Sequence, residues 1–351
     1  MTDELAYTSA TELLAKYKAK SLSPVEAVQA SIAKIERDGE KLNAFTIVDP
    51  DKALAAASES ERRWMAGEPK GLCDGVPTTI KDLVITEGWP TLRGSRSVKR
   101  DQVWDEDAPC VARLKEHGAV LLGKTTTPEF GHKGVTDSLL TGITRNPWNL
   151  EKTPGGSSGG ASAAVAAGMG QLAIGTDAGG SIRIPACFAG IYGLKPTFGR
   201  VPMYPASPYG TLSHTGPMTR TVGDAALMLT VIAEPDARDW YGLPYDGVDY
   251  TEMLGSGVRG LKIGFSDNLG LDVNVSTEVA NAVSSASTIF TELGATVEAV
   301  NINWPTSPRD IFLVHFAAGA ATLMSMLPTE QKEQIEPTLK AMAAEGNKLD
   351  L

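Results

Sequence analysis

Residues 154–160 read PGGSSGG. Four glycines and a proline in seven positions leave few side chains to restrict or shield the backbone. Such a stretch is either a linker or a place where another group must come very close to the main chain. The flanking sequence has to decide which.

Before it, helix and strand signals alternate. SLSPVEAVQASIAKIE carries Ser23 as N-cap, Pro24 at the first helical position and Glu26 three residues after the cap, a capping box. Val25, Val28, Ile32 and Ile35 then recur at helical period. NAFTIV (43–48) reads as a short strand and PDKALAAASESERRWMAG as a helix with an alanine face. VPTTIKDLVI (76–85) reads as a buried strand running into a loop, APCVARLKEHG as a helix ending at Gly118, and AVLLGKT (119–125) as a strand. After PGGSSGG, ASAAVAAGMG reads as a small-residue helix, LAIGTD (172–177) as a strand and AGGSIRIPACFAG as a turn with a short helix. RTVGDAALMLTVIAE (220–234), capped by Thr221, is a further helix. Strand 261–267, helix Ser276 to Leu293 and strand 295–302 follow, with 235–258 as a surface loop. The alternation predicts an α/β fold whose parallel or mixed sheet is covered by helices.

Composition narrows the function. Thirty-two basic against 42 acidic residues give a net charge of −10, which argues against a nucleic-acid surface. No run of 18 apolar residues offers a membrane span, and MTDELAYTSATELL lacks the basic start and apolar stretch of a signal peptide. Cys73, Cys110 and Cys187 are odd in number and in no CxxC arrangement, as expected of reduced thiols in a cytoplasmic protein. His117, His132, His214 and His315 are scattered without an HxxxH or HExxH spacing, so no metal site is expected.

Three motifs compete. GAVLLGKT (118–125) satisfies the phosphate-loop pattern, but AVLL wants a buried strand where that loop needs inward-facing N–H groups, and Pro128 interrupts any following helix. GGSSG (155–159) fits the nucleophile elbow, yet loop residues precede it and neither His214 nor His315 has a distinctive context. In GTDAGGSIRIP (175–185), a strand delivers Asp177, two glycines and Ser181, and consecutive N–H groups from Ala178 to Ser181 can converge on a developing oxyanion. A base is then needed. Lys81 follows an apolar strand, where burial would lower its pKa. The alternative for Lys81 is a strand-end lysine paired with Asp82.

GVPTTIKD (75–82), TPGGSSGGASAAVAAG (153–168) and GTDAGGSIRIPACFAGIYGLKPTFGRV (175–201) together resemble the amidase signature family. The resemblance implies a central, mixed, twisted β-sheet covered by helices on both faces. It implies one domain over 1–351, with N-terminal helices at 8–66, a catalytic core at 70–235 and a C-terminal part at 259–351. It implies a Ser–cis-Ser–Lys triad: Ser181 as nucleophile, Ser157 as bridge with a cis bond to Gly156, and Lys81 as base. Ala178, Gly179 and Gly180, with Ser181, match the oxyanion hole; Ser158, Thr176, Asp177 and Arg183 match bracing positions. PGGSSGG is then the place of close approach. The implied activity is hydrolysis of a small-molecule amide to carboxylate and ammonia or amine through an acyl-enzyme, without metal or organic cofactor. A homodimer is the default expectation.

Family members usually continue past EGNKLDL, so the C-terminal part is expected to be truncated. Rival readings remain. One is the A subunit of a glutamine-dependent tRNA amidotransferase, although PMYPASPYGTLSHTGPMTRTV (202–222) looks more like free-standing amidases. The others are a nucleotide-binding protein using 118–125 and a catalytically dead scaffold.

Overall fold

The capping signals in the sequence form real caps. In the computed structural model, which describes residues 2–350, the chain opens with α1 (Thr2–Ala6), α2 (Ala10–Lys18) and α3 (Pro24–Leu42). At the start of α3 the Ser23 side chain accepts from Val25 N–H, and Ser23 N–H donates to Glu26 Oε2 at 2.8 Å. Ser9 and Glu12 build the same reciprocal cap on α2, a pair the sequence reading passed over. Next come β1 (Phe45–Val48), α4 (Pro50–Ala66), β2 (Pro77–Lys81), α5 (Pro109–Glu116) and β3 (Val120–Thr125). A small hairpin of β4 (Asp137–Ser138) and β5 (Gly142–Ile143) leads to α6 (Gly159–Ala166), β6 (Leu172–Asp177), α7 (Arg183–Ala189), β7 (Tyr192–Gly193), β8 (His214–Thr219) and α8 (Val222–Ile232).

Six of these strands form one sheet in the order β1-β3-β2-β6-β8-β7. Its centre is parallel, with β2 between β3 and β6, and its outer pairs are antiparallel. The sheet is therefore mixed, as expected. Alternate residues point to opposite faces, and the core divides accordingly. Val120 and Leu122 pack with Val28, Ile32 and Ile35 of α3, Ala53 and Ala57 of α4, and Ala163 and Ala164 of α6. Ile80, Leu172 and Ile174 pack on the other face with Val111 and Leu114 of α5 and Met228, Val231 and Ile232 of α8. Fully burying each such aliphatic side chain contributes about 1.5–3 kcal/mol.

Two strands of this sheet, β7 and β8, were not legible from the pattern, and neither was the β4–β5 hairpin. Gly216 and Pro217 sit inside β8, where each weakens a strand signal. The pairing is nonetheless continuous from Leu172 opposite Thr219 to Asp177 opposite His214.

The chain divides into two compact units, one reaching to Thr251 and resuming at His315, the other spanning Glu252–Val314. The second holds a β-α-β arrangement of β9 (Lys262–Phe265), α9 (Thr277–Glu292) and β10 (Thr296–Ala299), with the two strands parallel. Helices α10 (Pro308–Met326), α11 (Thr329–Lys332) and α12 (Pro337–Gly346) complete the chain. Among the described residues no helix is long and apolar enough to cross a membrane.

Candidate active site

Parallel strands β2 and β6 lie side by side in the middle of the sheet, with Ile80 opposite Ile174. Their C-terminal ends deliver Lys81 and the pair Thr176 and Asp177 to one place, where ligand sites of such sheets form. The PGGSSGG loop crosses the same place. Gly156 makes that passage possible: a Cβ there would lie 2.6 Å from the Val135 main chain. The Gly156–Ser157 peptide bond is cis, as the resemblance implies. Ser158 N–H donates to Ser181 O at 3.1 Å, tying the loop to the turn after β6.

Lys81 has no solvent exposure. Its Nζ lies 2.7 Å from Ser157 Oγ, 2.8 Å from Ser158 Oγ and 2.9 Å from Thr176 Oγ1. Burial pushes the amine well below its ordinary pKa of 10.5, and only the charge of Asp177 opposes this. With the amine uncharged, which leaves it two donors and one acceptor site, one of the three hydroxyls would donate to it. Ser158 is excluded, because its proton goes to Thr176 O at 3.2 Å. Ser157 and Thr176 remain.

The alternative pairing of Lys81 with Asp82 does not occur. Asp82 is fully buried and faces Lys124, whose Nζ is 3.7 Å away. Lys124 donates to Val84 O and Thr91 Oγ1, each at 2.7 Å. The lysine of the would-be phosphate loop is thus enclosed in the core at the end of β3. The interval between Gly118 and Gly123 is strand from Val120 onward. Both observations contradict the nucleotide-binding reading.

Asp177 shapes the turn that carries Ser181. Its carboxylate accepts from Gly180 N–H at 2.6 Å and Ile182 N–H at 3.1 Å, and from Arg183 Nε and Nη2, both at 2.9 Å. Burial alone would raise its pKa; these bonds and the Arg183 charge outweigh burial and hold it below the usual carboxylate value. Gly180 adopts φ +114°, a conformation that favours glycine. One expectation changes here. Gly180 N–H already donates to Asp177 Oδ1 and is not among the unpaired N–H groups of the turn. The N–H groups of Ala178, Gly179 and Ser181 make no hydrogen bond among the described residues.

Ser157, Thr176, Asp177, Ala178 and Ser181 line one cavity of about 150 Å³. Ser181 Oγ makes no hydrogen bond among the described residues, so the Lys81–Ser157 contact is closed and the Ser157–Ser181 contact is open. Leu83, Val84, Phe130, Met203, Tyr204, Tyr209, Phe316 and Leu323 contribute apolar and aromatic surface to the remaining wall. Arg93 also lines it. The sequence reading missed Arg93 and Tyr209, because neither belongs to a motif. The nucleophile-elbow reading fails on geometry: residues 151–155 form no strand, and His214 Nδ1 lies against Leu212 O at 2.7 Å and Asp177 O at 3.2 Å. His117 faces Glu234 at 2.9 Å, and His132 Nδ1 faces Glu129 O at 2.7 Å. Cys73 and Cys110 are buried, Cys187 is exposed, and all three are free thiols.

Comparison with known proteins now bears on this site. Residues 26–350 match the family described as Amidase. An acylamidase of Rhodococcus erythropolis is 39% identical over 99% of this chain and 73% of its own length. The A subunit of a glutamyl-tRNA(Gln) amidotransferase from Geobacter sp. (strain M21) is 40% identical over 89% of this chain, which spans 64% of that relative. The crystal structure of a bacterial aryl acylamidase of the amidase signature family superposes with a TM-score of 0.90 at 37% identity, covering 98% of this chain and 73% of that one. The chain therefore belongs to the amidase signature family, hydrolases that act on amides.

Proposed function

We propose that the protein hydrolyses a small carboxylic amide through an acyl-enzyme on Ser181, with Ser157 and Lys81 as its proton relay. The observation that carries this reading is the buried Lys81 amine, 2.7 Å from the Oγ of Ser157, which lines the same cavity as Ser181. In the resting state we take Ser157, rather than Thr176, as the hydroxyl that hydrogen-bonds to neutral Lys81 while keeping its proton, which leaves its lone pairs for Ser181. Ser181 Oγ loses its proton to Ser157 as it attacks the amide carbonyl, and Ser157 passes its own to Lys81. The hydrogen bond between the serines forms when substrate is bound, since catalytic hydrogen bonds are often long without it. The oxyanion meets the N–H groups of Ala178, Gly179 and Ser181; one such donor is worth about 10²–10³ in rate. The proton returns through Ser157 to the leaving nitrogen, the C–N bond breaks, and water hydrolyses the ester by the same relay.

The test is turnover of simple anilides and aliphatic amides by the purified chain and its Ser181→Ala variant. Loss of more than 10³-fold with unchanged thermal unfolding supports the nucleophile assignment; residual turnover within tenfold overturns it. The amidotransferase relatives favour a second reading, a glutaminase that needs partner proteins. Ammonia release from glutamine alone among the amides, and only with those partners added, would establish that reading instead.

A further inference from the structure

Arg93 stands out among the groups lining the cavity. Its backbone is held in the left-handed region, φ +56°, with its carbonyl accepting from Phe130 N–H at 2.8 Å. A bulky residue kept in that conformation points to function. Its side chain makes no hydrogen bond and no ion pair among the described residues, although it is only partly exposed and lines the cavity. The charges near it are already matched. Asp82, the acid whose charge acts on it, faces Lys124 at 3.7 Å. Asp177 is held by two bonds from Arg183. One positive charge in the cavity wall is left over.

A second donor is also without a partner. Tyr209 Oη is buried and makes no hydrogen bond, while its ring stacks on Phe316 at 4.5 Å between centroids. Leaving such groups unsatisfied in an apolar surround is unfavourable. Tyr209 Oη has almost no accessible surface and does not itself face the cavity; the unpaired Arg93 guanidinium lines it, and a guanidinium suits a carboxylate.

We infer that the amide hydrolysed here carries a carboxylate elsewhere in the molecule, bound by the Arg93 guanidinium. This rests on the hydrolase reading above and names its substrate class.

The test uses matched pairs that differ only in charge: glutaric acid monoanilide against its methyl ester, and 4-acetamidobenzoate against its methyl ester. The two pairs place the carboxylate on the acyl side or the amine side. Binding is measured by calorimetry on the Ser181→Ala protein, so the outcome does not depend on turnover. In one pair the acid should bind about tenfold or more tightly than the ester, as expected for charged hydrogen bonds. Arg93→Gln should abolish that preference and Arg93→Lys should keep part of it. Equal affinity of acid and ester in both pairs overturns the inference with no variant needed, as does a preference unchanged in Arg93→Gln. Turnover of the esters' amide bonds by the wild type reports separately on the hydrolase reading.

Discussion

Replacing Lys81 by Met separates chemistry from stability. Methionine keeps the length of the side chain and removes the amine, leaving Ser157, Ser158 and Thr176 without their common partner. A positioned general base contributes about 10²–10⁴-fold, so kcat/KM on an anilide should fall by at least that much. Three neutral hydrogen bonds at about 1 kcal/mol each are lost. A titration difference acts against that loss. The folded amine has a pKa below 10.5, so between its folded and unfolded midpoints the unfolded chain binds a proton that the folded chain does not. Wild-type stability therefore rises with pH in that window, by at most about 1.4 kcal/mol per pH unit, and falls as pH is lowered. Lys81→Met lacks this slope. Chemical denaturation from pH 6 to pH 10 should show the wild type gaining on the variant as pH rises. An unchanged rate, or a stability gap that does not move with pH, would refute the neutral-lysine argument.

Three more substitutions probe the surroundings. Gly156→Ala forces a Cβ to within 2.6 Å of the Val135 main chain; overpacking of this kind costs about 1–3 kcal/mol, so thermal unfolding should drop by several degrees and turnover should fall with it. Asp177→Asn keeps one acceptor for Gly180 N–H or Arg183 but loses the charge, and the expected cost is about 2 kcal/mol with a lower kcat, read by denaturation and steady-state kinetics. His214→Gln retains a donor for Leu212 O, and kcat/KM should stay within about fivefold; a loss of 10³ would restore the histidine-based elbow.

Much of this was legible because local chemistry and tertiary structure agree. Ser23 and Glu26 cap α3 as their spacing requires, and the strand character of AVLL in β3 defeated the phosphate-loop match. Other features were hidden because they depend on distant residues. The sequence places Asp82 next to Lys81, yet β3 delivers Lys124 to it instead. Asp177 lies three residues before Gly180, and only the folded turn reveals that it takes the glycine's N–H. β8 escaped because Gly216 and Pro217 interrupt its pattern, while pairing along β6 sustains it. Arg93 and Tyr209 reach the cavity from loops, where spacing carries no signal.

The central claim is that Ser181 forms the covalent bond and Ser157 only relays the proton. Treatment with a fluorophosphonate followed by peptide mass spectrometry tests it directly. The account predicts a single adduct on Ser181, with labelling lost in Lys81→Met. An adduct on Ser157, or an active preparation that no fluorophosphonate labels, would contradict it.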